Sequence, residues 1–154
     1  MSQIFRNPVY LLYEKLLKAQ ILAGSAVEHI AIIQDGNRRY ARQKGLAKTL
    51  GHSLGAETSE EVADWCLAVG VRHLTLYAFS TENFSREDSE KRYIFDLIKK
   101  KFNELRNSKK IHFNKVRVRA IGRLEMLPDD LQEEIRLTEE ATKDYGKMYL
   151  NVAL

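Results

Sequence analysis

Asp35, Asn37, Arg38 and Arg39 crowd into one short stretch between an apolar run and a basic one. A carboxylate is a hard oxygen ligand for a divalent cation, and guanidinium groups grip phosphate oxygens as a two-pronged fork. The combination points to magnesium-phosphate chemistry. Cations continue downstream: counting from Arg38, five fall within eleven positions, ending at Lys48, and His52 follows. A second polar stretch, Ser80-Thr81-Glu82-Asn83-Phe84-Ser85-Arg86, supplies hydroxyl, amide and guanidinium groups. The plainer account of the basic run is a solvated loop, and of Ser85 the capping of a helix. Neither accounts for Asn83 or Arg86.

The surrounding pattern decides whether these stretches can meet. Ile30-Ala31-Ile32-Ile33 is short and rich in β-branched residues, as a buried strand is. It breaks at Asp35-Gly36-Asn37 and releases into a helix-forming segment, leaving helix-start N–H groups free for an anion. Ala56 to Val69 reads as a helix with Val62, Trp65, Cys66 and Val69 on its core face, stopped by Gly70. Val71 to Phe79 is a second strand, so strand, crossover helix and strand make a parallel unit. Both polar stretches then leave the same edge of one sheet, where open α/β folds hold their ligands.

The remaining elements extend that sheet. A helix over 87–105 carries the apolar stripe Ile94, Leu97, Ile98, Phe102 and Leu105, with Lys99, Lys100 and Lys101 facing solvent. A polar turn over 107–110 precedes a third strand at 116–122, whose Arg117 and Arg119 suggest an edge position. Pro128 starts a helix over 129–143 with Leu131, Ile135 and Thr138 inward, and 148–154 is a fourth strand. The expected fold class is therefore α/β, a parallel sheet of about four strands flanked by helices. Before the sheet, Val9, Leu12, Tyr13, Leu16 and Leu17 share one face of an amphipathic helix, closed by Gly24-Ser25. Packing on its own domain or a partner is the plainer account of that helix, and contact with a membrane surface is the alternative.

Bulk properties narrow the class. The chain has 154 residues, 44% hydrophobic and 30% charged, which suits a folded domain and excludes a disordered one. A net charge of +4 favours phosphate-bearing partners. Cys66 is the single cysteine, so no internal disulfide forms and an intracellular setting is favoured. No run approaches the roughly 20 apolar residues of a membrane span. The expected location is the cytoplasm, with peripheral membrane contact left open. Nucleic acid is not an expected partner, because neither an aromatic stacking platform nor a recognition helix stands out.

The segments HIAIIQDGNRRYARQKG, GHSLGAE, LTLYAFSTENFSR and LNVAL together resemble the cis-prenyltransferases, in the right order over residues 29–154. The resemblance implies that residues 1–28 form an N-terminal helical appendage and 29–154 part of a catalytic domain. It implies condensation of isopentenyl diphosphate with a farnesyl-type allylic diphosphate, assisted by Mg2+, to give a Z-polyprenyl diphosphate. By motif position it makes Asp35 the metal-binding and catalytic aspartate and Asn83 a second catalytic group. Gly36, Asn37, Arg38, Arg39, Lys48, His52, Ser80, Arg86 and Glu90 become substrate-binding positions. A hydrophobic tunnel between the sheet and the helices at 56–69 and 87–105 is implied for the growing chain.

Lys48 stands where the family often has arginine, Gln34 replaces an apolar residue, and Tyr40 and Phe84 replace tryptophan. The family's downstream Arg-x-Ser-Gly-Glu-x-Arg motif is not in this sequence, and neither are the later strands. The chain is thus expected to carry the allylic-substrate and Mg2+ half of a site. It would be a portion of a longer enzyme or a partner-dependent, even non-catalytic, subunit of a homo- or hetero-oligomeric synthase.

Overall fold

The computed structural model describes residues 8–24 and 27–154. Its centre is a four-stranded parallel sheet in the order β1-β2-β4-β3, formed by His29–Ile33, His73–Tyr77, Val116–Ile121 and Met148–Ala153. The register sets Ile33 beside Tyr77, and Tyr77 and Ile121 each beside Ala153, so the strands end level. The expected α/β class and the edge position of the third strand both hold.

Alternation along the strands sends Leu74, Leu76, Val118, Leu150 and Val152 to one face, where they are buried. Two long helices belong to the same core, α3 (Lys48–Val69) through Cys66 and α4 (Asp88–Asn107) through Ile94, Ile98 and Phe102. The opposite face keeps Ile33, Tyr77 and Ile121 exposed. Helix α6 (Asp129–Thr142) buries Leu131, Ile135 and Thr138, the expected inward set. It also closes the sheet edge. The Val118 N–H donates to Thr142 Oγ1 at 3.1 Å and the Ala120 N–H to Glu139 Oε1 at 2.8 Å. An open strand edge is a template for unwanted pairing, and these side chains occupy it.

Four expectations change. The segment before residue 56 is not a loop: α3 begins at Lys48 and runs through Gly51 and Gly55. Glycine weakens a helix only modestly, and tertiary contact overrides that bias here. Trp65 is 61% exposed rather than core, because α3 turns Val62, Ala63, Cys66 and Leu67 inward. The polar turn near 107–110 contains a short helix, α5 (Lys109–Phe113), started by Ser108 Oγ. Finally, α1 (Pro8–Ala23) meets α3 but buries none of its residues, so packing on its own domain does not hide its apolar side chains. Gly24 bends the chain after α1, and Ser25 lies outside the described residues.

Thr142→Val would leave the buried Val118 N–H unpaired. A loss of about 1–3 kcal/mol is expected, read as a lower denaturant midpoint at unchanged slope.

Candidate functional site

The site is built where β1 ends. Gln34 N–H makes the last rung to Tyr77 O, and Gly36 then takes a φ of 98° to start α2 (Asn37–Gln43). That left-handed conformation is strained for any residue with a Cβ, which is the reason for glycine. With only seven residues α2 carries a small dipole, so the anion attraction expected of its N–H groups falls mainly to its side chains. Its first turn presents Arg38 and Arg39, with Arg39 Nη2 2.8 Å from Asp35 Oδ2. The Asp35 side chain is 74% exposed and has no buried partner.

The glycines of α3 bring α2 close. A Cβ on Gly51 would stand 2.4 Å from Asn37 O, and one on Gly55 would stand 2.5 Å from the Asn37 amide. Hence the Gly-x-x-x-Gly spacing lets α2 lie on α3 and fixes Asn37, Arg38 and Arg39 over its first turns. Lys48 opens α3, 3.9 Å from Glu87.

Beneath the cations sits Glu90, on the first turn of α4 and 5% exposed. Its Oε1 receives Arg86 Nη1 at 2.7 Å and lies 3.1 Å from His52 Nε2 and 3.6 Å from Arg38 Nε. Burial alone would push this carboxyl up. Hydrogen bonds from His52 and Arg86, with the charges of Arg38 and Arg86, outweigh burial and hold it below the usual carboxylate range. Glu90 therefore draws three cationic or ionisable groups from α2, α3 and the loop after β2 to one point.

That loop is a 3₁₀ turn over Thr81–Ser85. Asn83 Nδ2 donates to Ser80 Oγ, which fixes the amide's orientation. Ser85 Oγ donates to Glu82 O instead of capping α4, whose start has no side-chain cap. The capping account of Ser85 thus fails. Phe84 packs edge-on against Phe79, with ring centroids 5.1 Å apart.

In front of these groups opens a cavity of about 860 Å³. Asp35, Gly36, Asn37, Arg38 and Arg39 line its mouth, together with Lys48, His52, Asn83 and Arg86. Ser80 and Glu90 stand behind that lining, where Ser80 bonds the Asn83 amide and Glu90 bonds the cations. From the mouth the cavity runs between the sheet and the helices, past Ala63, Leu76, Ile98 and Leu150, to Val116 and Met148 at the far strand ends. It lies where the tunnel was expected. Arg42, Gln34 and Ser59 also line it, and Gln34 bonds to Ser59. Ser59 follows Gly55 by one helical turn and donates to its carbonyl, a relation that exists only because α3 extends back to Lys48. Lys101 lines the cavity too, so the lysine triplet is not simply a solvated face. Cys66 is buried, and burial pushes its thiol up, which keeps it unreactive.

Among the described residues no three His, Cys, Asp or Glu side chains converge as a metal cage. One exposed carboxylate beside a row of cations suits Mg2+, which proteins commonly hold through one or two carboxylates and water.

Residues 33–154 match the prenyltransferase family described as undecaprenyl diphosphate synthase. A tritrans,polycis-undecaprenyl-diphosphate synthase (geranylgeranyl-diphosphate specific) from Methanopyrus kandleri is 46% identical over 148 residues, covering 96% of this chain and 55% of that protein. Its namesake from Methanosarcina mazei is 48% identical over 145 residues, covering 94% and 49%. The chain thus spans about half the length of the curated relatives it matches. Among solved structures, lavandulyl diphosphate synthase from Lavandula x intermedia, in complex with dimethylallyl diphosphate, has a TM-score of 0.76 at 27% identity, covering 82% of this chain and 54% of that one. A probable undecaprenyl diphosphate synthase from Campylobacter jejuni has a TM-score of 0.67 at 33% identity, covering 85% and 55%.

Two outcomes test the site's construction. Ionised Glu90 stabilises the fold fully above the ordinary glutamate value of 4.5, and the contribution fades as pH falls through its lowered folded value. Glu90→Gln should therefore lose about 1–3 kcal/mol at neutral pH, and its melting temperature should fall less steeply on acidification than the wild type's. Gly51→Ala, facing a backbone carbonyl, should cost about 1–3 kcal/mol of stability as α2 is pushed off α3, read as a lower denaturant midpoint.

Proposed function

The chain belongs to the undecaprenyl diphosphate synthase family of prenyltransferases, and from that premise we propose that it carries the allylic-diphosphate half of a cis-prenyltransferase site. The observation behind this reading is one continuous cavity with an exposed carboxylate and several cations at its mouth and apolar walls beyond. A diphosphate meets the cations, and an isoprenoid tail lies along Leu76, Ile98 and Leu150. The reaction is condensation with isopentenyl diphosphate to lengthen a Z-polyprenyl diphosphate.

The relatives named above are specific for geranylgeranyl diphosphate by their descriptions. We carry that starter to this chain, and it replaces the farnesyl-type diphosphate expected from the motifs. Asp35 is the residue that would hold Mg2+, exchanging its contact with Arg39 for the cation. Bound there, Mg2+ supplies positive charge that stabilises the departing diphosphate. Arg38, Arg39 and Arg86 grip phosphate oxygens, and Lys48 and His52 add donors at the same mouth. Glu90 holds Arg38, His52 and Arg86 in place, so their positioning precedes binding. Asn83, locked by Ser80, orients the reacting group; an amide is too weak a base to take the proton alone.

A second reading is a partner-dependent subunit. It draws on the exposed Ile33, Tyr77 and Ile121 of the sheet's second face. The exposed apolar residues of α1 suit either such a partner or a membrane surface. No helix among the described residues is long and apolar enough to cross a membrane.

Calorimetry with geranylgeranyl diphosphate tests the first reading. Binding should need Mg2+ and should weaken on the order of tenfold or more in Asp35→Ala. Equal affinity in that variant, with and without Mg2+, rules the reading out. Labelled isopentenyl diphosphate then separates the two: product from the isolated chain ends the subunit account.

A further inference from the structure

Side chains alternate along β1, and Ile30 and Ile32 turn inward to pack against the core. Gln34 is the next residue to face that way, and it lines the cavity one position before Asp35. An amide thus ends an apolar row. Its partners fix which way it points. Ser59 has one hydroxyl proton and donates it to Gly55 O at 2.8 Å. Toward Gln34 the serine oxygen can therefore only accept, and Gln34 Nε2 is the donor. The carbonyl oxygen Oε1 is left over, and among the described residues no donor reaches it. No buried side-chain oxygen among them lacks a partner, so Oε1 is not buried and opens onto the cavity that Gln34 lines.

An open acceptor matches neither of its surroundings. The mouth beside it is built of cations, and Leu76, Ile98 and Leu150 beyond it offer nothing to accept from. Hydrocarbon entering there strips water from Oε1 without replacing the hydrogen bond, which is unfavourable in the ground state. A carbon bearing positive charge offsets that loss. Heterolysis of an allylic diphosphate produces one: the bond from its first carbon to oxygen breaks and both electrons leave on the diphosphate. The positive charge is then shared by the first and third carbons. A neutral dipole aimed in advance stabilises such charge where it develops. A carboxylate in this place would attract the carbon more strongly, but it would also repel the diphosphate and compete for the cations of the mouth.

We propose that Gln34 Oε1 faces the allylic carbons and stabilises the positive charge that develops on them, with Ser59 as the positioning residue that aims the amide. The inference rests on the allylic-diphosphate reading of the mouth and adds to it a group that acts on carbon rather than on phosphate. Two adjacent residues then serve opposite charges. Asp35 and the arginines attend to the departing diphosphate, while Gln34 attends to the fragment it leaves behind. Because the amide is neutral and its donor is already spent on Ser59, it makes little difference to binding of the intact diphosphate.

Two ligands are compared by calorimetry on the whole chain, with Mg2+ at neutral pH: geranylgeranyl diphosphate, and its analogue carrying a protonated nitrogen in place of the third carbon. The quantity read is the ratio of analogue to parent affinity, in which contacts to the diphosphate and the tail cancel. Gln34→Met should lower that ratio roughly threefold to tenfold, with the parent bound as tightly as by the wild type or more so. Gln34→Glu should raise the ratio, and Ser59→Ala should lower it by less than Gln34→Met does. An amide with a purely structural role would change both affinities together and leave the ratio alone. Should geranylgeranyl diphosphate not bind the wild type, the reading of the mouth fails and takes this inference with it. Binding of the parent to the wild type with an unaltered ratio in Gln34→Met overturns the role of Gln34 alone. If Gln34→Met binds neither ligand, Gln34→Glu decides, and a ratio there that is unchanged or lower overturns the proposal.

Discussion

A single buried carboxylate holds the mouth of this cavity together. Arg38, Arg86 and His52 come from three separate parts of the chain and would spread apart if each kept its own water. Glu90 Oε1, within 3.6 Å of all three, sets a common centre for them. Burying a charge is costly unless it is paired and hydrogen-bonded, and these contacts meet that cost. The result is a cluster with surplus positive charge facing outward. Such a surplus is poorly compensated in the empty protein and well compensated when an anion with several oxygens binds.

The backbone that carries the cluster depends on contacts without charge. Gly36 allows the turn out of β1, and Gly51 and Gly55 allow α2 to rest on α3. Ser80 aligns Asn83 from the neighbouring strand end. The level ends of β1 and β2 bring both loops to one edge, so the parallel register is itself part of the site. Behind the mouth the chemistry changes from charged to apolar over a continuous cavity. That gradient suits an amphiphile with an anionic head and a hydrocarbon tail.

The motif residues were legible because their chemistry is local. Asp35, Asn37, Arg38 and Arg39 occupy one turn, and the strand before them announces itself by β-branched residues. The sheet class followed from alternating strands and helices, and Cys66 and Ile98 were correctly read as core. Other features depend on partners distant in sequence: Asn37 fills the space that Gly51 and Gly55 leave within α3, the sheet selects which side of α3 turns in and so leaves Trp65 outside, and Arg38, His52 and Arg86 cover Glu90.

The amino-acid sequence alone thus determined which chemistry is present and where the four strands and the bodies of the long helices lie, because residue type and short-range periodicity suffice for those, while the start of α3 and the short α5 were left to tertiary contact. Tertiary structure alone decided which charges are buried, which merely face water, and where the apolar cavity runs. Those properties depend on what lies across a gap of tens of residues, and burial, rather than identity, sets whether a carboxylate binds a cation from solvent or anchors its own protein's arginines.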